Sequence, residues 1–257
     1  MSVRPKKSLG QHFLTDHNIA RKIVDALPGE TANILEIGPG TGILTRYLLD
    51  LPDRSPVFIE TDTEAVEFLL DEFPSIHGKI THADFLKVDL DELIKGQYQL
   101  VGNLPYNISS QIFFRVLEDR DRITSAVVMI QKEVADRISS GPGNKVYGIL
   151  SVLLQTWYDI EYLFTVPPGV FNPPPKVKSA VIRLKRNEVA DIGCDPAYYF
   201  RLVKTAFNQR RKTLRNALKP MLGDVSTDKL GDVLSKRAEQ LSVRDFRELC
   251  AIMKGGV

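Results

Sequence analysis

The peptide Asn103-Leu104-Pro105-Tyr106 combines groups suited to holding an aromatic amine for alkylation. The N6 amine of adenine is a poor nucleophile because its lone pair is delocalised into the ring. The amide oxygen of Asn103 and the carbonyl of Leu104 could accept both N6–H hydrogens and favour a tetrahedral nitrogen. Pro105 restricts the backbone, and Tyr106 offers a ring on which a base can stack, worth about 1–3 kcal/mol. These four residues predict a catalytic site for adenine N6 methylation; an ordinary β-turn is the alternative.

A glycine-rich turn upstream of this peptide predicts where the methyl donor binds. Gly38, Gly40 and Gly42 follow a short apolar run, and glycine lets the backbone approach a ligand closely. The dinucleotide pattern GxGxxG would need a glycine where this chain has Ile43, so NAD and FAD are disfavoured.

Acidic residues follow the next two apolar runs. Glu60 lies about 20 residues beyond the glycines, where a carboxylate can accept hydrogen bonds from ribose hydroxyls. Asp84 could accept a hydrogen bond from an adenine amino group. Asp62 follows Glu60 closely and is either part of the same site or a solvated loop residue. Together with Gly38 and Gly40, the acids Glu60 and Asp84 predict a site for S-adenosylmethionine (SAM), which carries no phosphate and needs no Walker-type lysine.

The elements that must position these residues alternate between short apolar runs and amphipathic stretches, which predicts an α/β fold with a largely parallel, Rossmann-like sheet. Strands are predicted at Ile34–Ile37, Pro56–Glu60, Lys79–Thr81, Gln99–Gly102, Ser125–Ile130, Ile160–Val166 and Ala180–Leu184. Helices are predicted at Ile43–Asp50, Thr63–Glu72, Ser110–Glu118, Lys132–Ser139 and Tyr147–Tyr158. The proline-rich stretch 166–175 predicts a stiff loop.

The chain changes character after Leu184, where helical periodicity continues without a convincing strand. Helices are expected around Phe200–Met221, at Asp228–Lys236 and at Val243–Met253, the last with Ser242 and Asp245 as a capping box. We therefore predict a SAM-binding catalytic domain at residues 1–185 and a small, all-helical, RNA-binding domain at residues 186–257.

The segment from Pro196 to Leu222 is strongly basic. It contains Arg201, Lys204, Arg210, Arg211, Lys212, Arg215 and Lys219 and no acidic residue, although the whole chain carries a net charge of only +2. A solvated helical face usually mixes both signs, so this run favours contact with nucleic-acid phosphates. Arg210, Arg211, Lys212 and Arg215 are the predicted RNA-binding residues.

The bulk composition constrains the environment of the protein. Cys194 and Cys250 are the two cysteines, they form no CxxC pair, and their separation argues against a disulfide framework or a zinc site. No apolar run reaches the roughly 18 residues of a membrane span. We expect a cytoplasmic protein, without a metal, that needs to be no more than a monomer.

Ordered motifs along nearly the whole chain resemble one family, the small-subunit (16S) rRNA adenine N6,N6-dimethyltransferases, whose loss gives kasugamycin resistance. The shared motifs are residues 9–14, 36–42, 103–109, 131–134, 171–179 and 206–216. This resemblance implies cofactor contacts at His12, Leu14, Gly38, Glu60, Asp84 and Asn103, although many relatives have asparagine where this chain has His12. It also implies that four methyl groups are transferred to two adjacent adenines near the rRNA 3′ end, within an immature 30S subunit.

Two alternatives remain open at this point. The first is a methyltransferase of the same fold with another target, either large-subunit rRNA of the macrolide-resistance type or DNA. The run Phe207–Asn216 favours the small-subunit enzymes over those relatives. The second is a non-catalytic ribosome-assembly factor, against which the intact peptide Asn103–Tyr106 argues.

Overall fold

The computed structural model describes residues 3–29, 31–222 and 227–254, without the side chains of residues 227–229. Nine strands are found in these ranges: β1 (Phe13–Leu14), β2 (Asn33–Ile37), β3 (Ser55–Glu60), β4 (Ile80–His82), β5 (Tyr98–Asn103), β6 (Ile123–Gln131), β7 (Tyr158–Val166), β8 (Phe171–Asn172) and β9 (Ser179–Arg186). The same ranges contain the helices α1 (His17–Asp25), α2 (Ile43–Leu49), α3 (Thr63–Glu72), α4 (Leu90–Leu93), α5 (Ser109–Glu118), α6 (Lys132–Ser139), α7 (Ile149–Trp157), α8 (Pro196–Asn208), α9 (Leu214–Ala217), α10 (Lys219–Leu222) and α11 (Val243–Met253).

Seven of the described strands form one sheet in the order β4-β3-β2-β5-β6-β9-β7. The pairings from β4 to β6 are parallel, and β9 runs antiparallel to β6. Strands β5 and β6 are buried along almost their whole length because helices cover both faces of such a sheet. The predicted α/β fold and all seven predicted strands are confirmed, with ends shifted by at most two residues.

The structure also contains elements that sequence periodicity did not predict. Strand β1 pairs with β8, so the expected loop at 166–175 includes a short strand, preceded by a 3-10 turn at Pro168–Val170. Helix α1 was not predicted either, although Asp16 caps it by accepting hydrogen bonds from the backbone N–H groups of Asn18 and Ile19. Two-residue strands carry too little pattern to be recognised locally.

The described chain divides into two compact units. Unit 1 comprises Met1–Ala135 and Ile160–Arg186, and unit 2 comprises Asp136–Asp159 and Asn187–Val257. One division falls after residue 186, and residues 136–159 group with the C-terminal helices and not with the sheet. The reason is that α7 packs against α8 and α11. It buries Leu150, Val152, Leu153, Leu154 and Trp157.

Unit 2 has an aromatic core of its own. Trp157 contacts Tyr199 edge-on with ring centroids 5.9 Å apart, and Phe207 stacks on Phe246 at the same separation. The capping box of α11 is confirmed, since Asp245 N–H donates to Ser242 Oγ at 3.1 Å. The helix expected at Asp228–Lys236 is instead 3-10 helical over Thr227–Ser235, with non-helical backbone at Gly231.

Unit 2 also contains a disulfide between Cys194 and Cys250, whose Cα atoms lie 6.2 Å apart. The expectation against a disulfide is therefore wrong. It rested on their separation in sequence, and the fold brings the loop before α8 next to α11.

Within the described residues, no helix is both long and apolar enough to cross a membrane.

Candidate active site

A cavity of about 210 Å³ opens in unit 1 at the carboxyl ends of β2, β3, β4 and β5. Parallel strands bring their carboxyl ends to one edge of the sheet, where ligands of such folds bind. The cavity is lined by Ser8, Leu9, Gly10, Gln11, His12, Phe13, Ile37, Gly38, Gly40, Ile59, Glu60, Thr61, Ala83, Asp84, Phe85, Leu86, Asn103, Leu104, Pro105, Tyr106, Asn107 and Ile108. Gly38, Gly40, both predicted acids and all of the predicted catalytic peptide, Asn103–Tyr106, thus line one cavity.

Gly38 and Gly40, the two glycines of the turn that line the cavity, serve different purposes. Both have positive φ, +63° at Gly38 and +57° at Gly40, a conformation that favours glycine. A Cβ at Gly38 would meet no atom within 4 Å, so a side chain there would occupy space open to a ligand. A Cβ at Gly40 would lie 2.9 Å from Cε1 of Phe13, so this glycine is needed for packing.

Glu60 ends β3 with its carboxylate held by three backbone donors. Oε2 accepts from Gly40 N–H at 3.0 Å, while Oε1 accepts from the N–H groups of Thr61 and Asp62 at 2.8 and 2.9 Å. Burial raises the pKa of Glu60, and these three hydrogen bonds oppose that shift. A carboxylate has about four acceptor positions, so one remains for a ribose hydroxyl.

Another acid, Glu36, lies two residues before Gly38 and was not among the predicted site residues. It is buried in β2, where Thr45 Oγ donates to Glu36 Oε2 at 2.7 Å. Burial raises the pKa of Glu36 to about 8, and the nearby Glu60 adds to the shift. Glu36 is therefore mostly protonated at neutral pH in the folded protein.

We expect the Glu36→Gln variant to gain stability relative to the parent protein as the pH rises. The unfolded chain releases this proton near the ordinary value of 4.5 and the folded chain near 8, so the parent's stability falls between these values. The slope is up to about 1.4 kcal/mol per pH unit. Urea unfolding of both proteins from pH 5 to pH 9 measures the difference. A gap that stays constant with pH would contradict the assignment.

Asp84 and its neighbours form the other end of the cavity. Asp84 Oδ1 accepts from Leu86 N–H at 3.0 Å, and Oδ2 lies 3.5 Å from the exposed Lys87 ammonium. The adjoining side chains of Ile59, Phe85 and Leu86 are apolar and suit a flat aromatic ring. Acceptors at Glu60 and Asp84, with apolar walls and an open backbone at Gly38, fit the adenosine part of SAM.

The catalytic peptide presents two acceptors toward the same cavity. Asn103 Nδ2 donates to the backbone carbonyl of His12 at 2.8 Å, which fixes the amide orientation and leaves Oδ1 as an acceptor. Leu104 N–H donates to Met129 O at 3.0 Å, and no donor among the described residues contacts the Leu104 carbonyl. The two acceptors required to hold an amine therefore belong to residues that line the same cavity.

Tyr106 is held at the edge of the cavity by a hydrogen bond of 2.5 Å between its hydroxyl and Ser179 Oγ. Its ring lies 5.3 Å from the His12 ring, centroid to centroid, and His12 Nδ1 contacts the carbonyl of Pro173 at 2.7 Å. Burial raises the pKa of the Tyr106 phenol above its ordinary value of 10, so the ring stays neutral. A neutral, immobilised ring suits base stacking.

Two predicted residues differ from the rest in their surroundings. Leu14 does not line the cavity; it is 2% exposed and belongs to the hydrophobic core of unit 1. Asp62, expected as a possible solvated residue, is also only 2% exposed and contacts Lys6 and Gln11. Neither Lys6 nor Gln11 was predicted for the site, and no local pattern connects them with a carboxylate more than fifty residues away.

The predicted RNA-binding residues lie in unit 2 and differ in their contacts with the other described residues. Arg211, Lys212 and Arg215 are exposed. Arg210 is different, because its guanidinium donates to Glu239 Oε2 at 2.9 Å and to the carbonyls of Lys145 and Tyr147.

No cluster of three or more His, Cys, Asp or Glu suited to a metal ion occurs among the described residues.

Comparison with known proteins gives one consistent result. A family model described as ribosomal RNA adenine dimethylase matches residues 3–254. A ribosomal RNA small subunit methyltransferase A from Parabacteroides distasonis is 54% identical over 251 residues, which cover 97% of this chain and 94% of that protein.

Solved structures extend the same similarity. A dimethyladenosine transferase from Plasmodium falciparum superposes with a TM-score of 0.80 at 26% identity, covering 93% of this chain and 96% of that one. The 23S rRNA methyltransferase ErmE superposes with a TM-score of 0.69 at 25% identity, covering 94% and 99% of the two chains.

Proposed function

This chain belongs to the ribosomal RNA adenine dimethylase family, and from this we propose that it dimethylates N6 of two adjacent adenines near the 3′ end of small-subunit rRNA. It is a SAM-dependent methyltransferase, as the family and the fold agree. The observation that carries the proposal is the Asn103 amide, whose Nδ2 is engaged by His12 O so that Oδ1 is left as an acceptor. The similarity to small-subunit methyltransferases supports the choice of target.

The mechanism follows from what each group can do. SAM supplies an electrophilic methyl group when it is bound along the glycine turn, Glu60 and Asp84. Asn103 Oδ1 and the Leu104 carbonyl accept the two N6–H hydrogens of the target adenine, so the nitrogen becomes tetrahedral and its lone pair is directed at the methyl carbon. Tyr106 stacks on the base and fixes its plane. Orientation and preorganised dipoles replace a strong base, because the proton on nitrogen becomes acidic after alkylation.

The test is methyl transfer from labelled SAM into immature small subunits that lack the modification. We expect four methyl groups per subunit and two N6,N6-dimethyladenosines in the 3′ fragment by mass spectrometry. Methylation of large-subunit rRNA instead would indicate the macrolide-resistance type of activity. A protein that binds SAM and the subunit but transfers nothing would be an assembly factor.

We further propose that the exposed residues Arg211, Lys212 and Arg215 bind phosphates of the rRNA. Replacing each with alanine should weaken RNA binding at low salt and reduce the slope of log affinity against log salt by about one per lost phosphate contact. Arg244→Ala is the matched control, since this arginine is exposed in the same unit and pairs with Glu248. Unchanged salt slopes in all three variants would contradict the assignment.

Arg210 provides a contrast within the same basic run. Because it joins Glu239 to the carbonyls of Lys145 and Tyr147, we propose that it positions the turn that carries Arg211 and Lys212. Its replacement should therefore lower the free energy of unfolding. The slope of log RNA affinity against log salt should stay close to that of the parent protein.

We also propose that the protein acts as a monomer on an immature 30S particle in the cytoplasm. All groups assigned to the cofactor and the base come from one unit of one chain, which supports a monomer. A disulfide such as Cys194–Cys250 is uncommon in a reducing compartment, so the redox state of these residues in acid-quenched cells bears directly on the location. Light scattering of the purified protein tests the oligomeric state.

A further inference from the structure

The segment from Lys6 to Gln11 forms one wall of the cofactor cavity. Ser8, Leu9, Gly10 and Gln11 all line it, together with the acids that end β3 and follow β4. The segment is a single 3-10 turn at Lys7–Leu9, in which Leu9 N–H and Gly10 N–H donate to the carbonyls of Lys6 and Lys7. None of its residues is buried, so apolar packing contributes little to holding it there.

A single buried carboxylate attaches this wall to the sheet. The Asp62 side chain is 0% exposed, and Lys6 Nζ lies 2.5 Å from its Oδ1. Gln11 Nε2 donates to the other oxygen, Oδ2, at 3.0 Å. Lys6 N–H in turn donates to Gln11 Oε1 at 2.8 Å, which closes a ring of polar contacts. We call these three side chains the clasp.

The clasp is connected directly to the cofactor acid. Asp62 N–H donates to Glu60 Oε1 at 2.9 Å, and Asp62 Oδ1 also accepts from Glu64 N–H at the start of α3. The carboxylate that holds the wall is therefore fixed by the same turn that presents Glu60 to the cavity.

The other end of the segment is joined to the catalytic peptide. Gly10 has φ of +64°, and a Cβ there would lie 2.6 Å from Asn107 Oδ1. Two residues further on, the His12 carbonyl accepts from Asn103 Nδ2. The chain from Lys6 to His12 thus contacts both Asp62 and the catalytic peptide.

We infer that Lys6, Gln11 and Asp62 are positioning residues that retain the cofactor, and that the clasp must open for SAM to enter and for S-adenosylhomocysteine (SAH) to leave. A ligand covered by this wall exchanges when the segment moves away. The shortest polar contacts of Lys6 and Gln11 that resist such movement are those to Asp62, and Glu64 Oε2 lies further away, 3.7 Å from Lys6 Nζ. This inference rests on the SAM chemistry of the proposed function and specifies which residues regulate occupancy of that site.

The experiment measures SAH binding to the full chain by calorimetry and SAH release by stopped flow, neither of which needs rRNA. Asp62→Asn removes the charge but keeps a good helix N-cap residue, so α3 should remain intact. Lys6→Met removes the other charge. We expect each variant to bind SAH about tenfold more weakly and to release it faster, since charge-assisted hydrogen bonds are the strong ones.

Matched variants separate the clasp from general effects. Lys7→Met removes an adjacent exposed lysine and should leave SAH affinity unchanged. Lys6→Arg keeps the positive charge and should retain most of the parent's SAH affinity. The double variant Lys6→Met/Asp62→Asn should bind SAH about as weakly as either single variant, because both remove the same interaction. Hydrogen exchange of residues 7–13 should be slowed by SAH in the parent protein and much less in the Asp62→Asn variant.

Two outcomes overturn the inference. One is parent-like SAH affinity and release in both charge variants. The other is fully additive losses with unchanged hydrogen exchange, which would mean that the residues act through separate structural effects. A parent protein that fails to bind SAH at all would instead refute the proposed function.

Discussion

Replacing Asn103 with alanine is expected to lower the turnover number for methyl transfer by about 10²–10³-fold, the scale seen when one preorganised polar group is removed from an active site. The affinity for SAM should change by no more than about threefold. The reason is that Oδ1 of Asn103 acts on the developing tetrahedral nitrogen of the substrate, while Glu60 and the glycine turn hold the cofactor. Single-turnover kinetics with immature subunits, together with calorimetry of SAM binding, separate the two effects.

A second substitution at this position tests the orientation of the amide. Aspartate keeps an acceptor but loses the Nδ2 donor, so its carboxylate would face the His12 carbonyl, which now lies 2.8 Å from the amide nitrogen. We therefore expect Asn103→Asp to be impaired as well. The control is Asn33→Ala. The Asn33 amide also donates hydrogen bonds to backbone carbonyls, those of Lys95 and Gln97, but it lies far from the cavity. Equal losses of SAM binding and turnover would show that Asn103 is mainly a cofactor contact.

Replacing Glu60 with glutamine is expected to weaken SAM binding by about 10–100-fold, corresponding to roughly 1.4–2.7 kcal/mol. The Glu60 carboxylate accepts from the N–H groups of Gly40, Thr61 and Asp62. An amide has one oxygen, so its NH₂ group would face at least one of these donors and the glycine turn would lose its support. The ribose hydroxyl would lose a charged acceptor at the same time.

The same variant should lower the free energy of unfolding by about 1–3 kcal/mol, because a buried donor is left without a partner. Calorimetry of SAM binding and urea unfolding measure the two effects. Glu67→Gln is the control, since Glu67 is exposed on α3 and carries the same charge change. SAM affinity equal to that of the parent protein would remove Glu60 from the cofactor site.

The sheet and most of the cavity could be predicted because their signals are local. A buried parallel strand must be apolar on both faces, so runs such as Leu100–Val101 and Val127–Ile130 indicate strands without knowledge of their neighbours. Parallel strands then bring their carboxyl ends to one edge, which places Gly38, Glu60 and Asn103 together by topology alone.

The remaining features depend on partners that are distant in sequence. The sequence neighbours of Asp62 do not indicate whether its side chain is solvated or buried. Only the fold brings Lys6 and Gln11 into contact with it. Arg210 and Arg211 are adjacent and of the same residue type, yet one is paired with Glu239 and the other is exposed. The Cys194–Cys250 disulfide and the grouping of residues 136–159 with the C-terminal helices likewise depend on residues that are distant in sequence.

The catalytic peptide shows both contributions at one place. Its composition alone determines the reaction type, because Asn103 and the Leu104 carbonyl can accept two hydrogens and Tyr106 can stack on a base. Only the tertiary structure decides how the amide is oriented, through the His12 carbonyl, and how the ring is held, through Ser179. Residue type sets which hydrogen bonds a group can make, whereas the choice among them depends on atoms that the chain brings close only on folding.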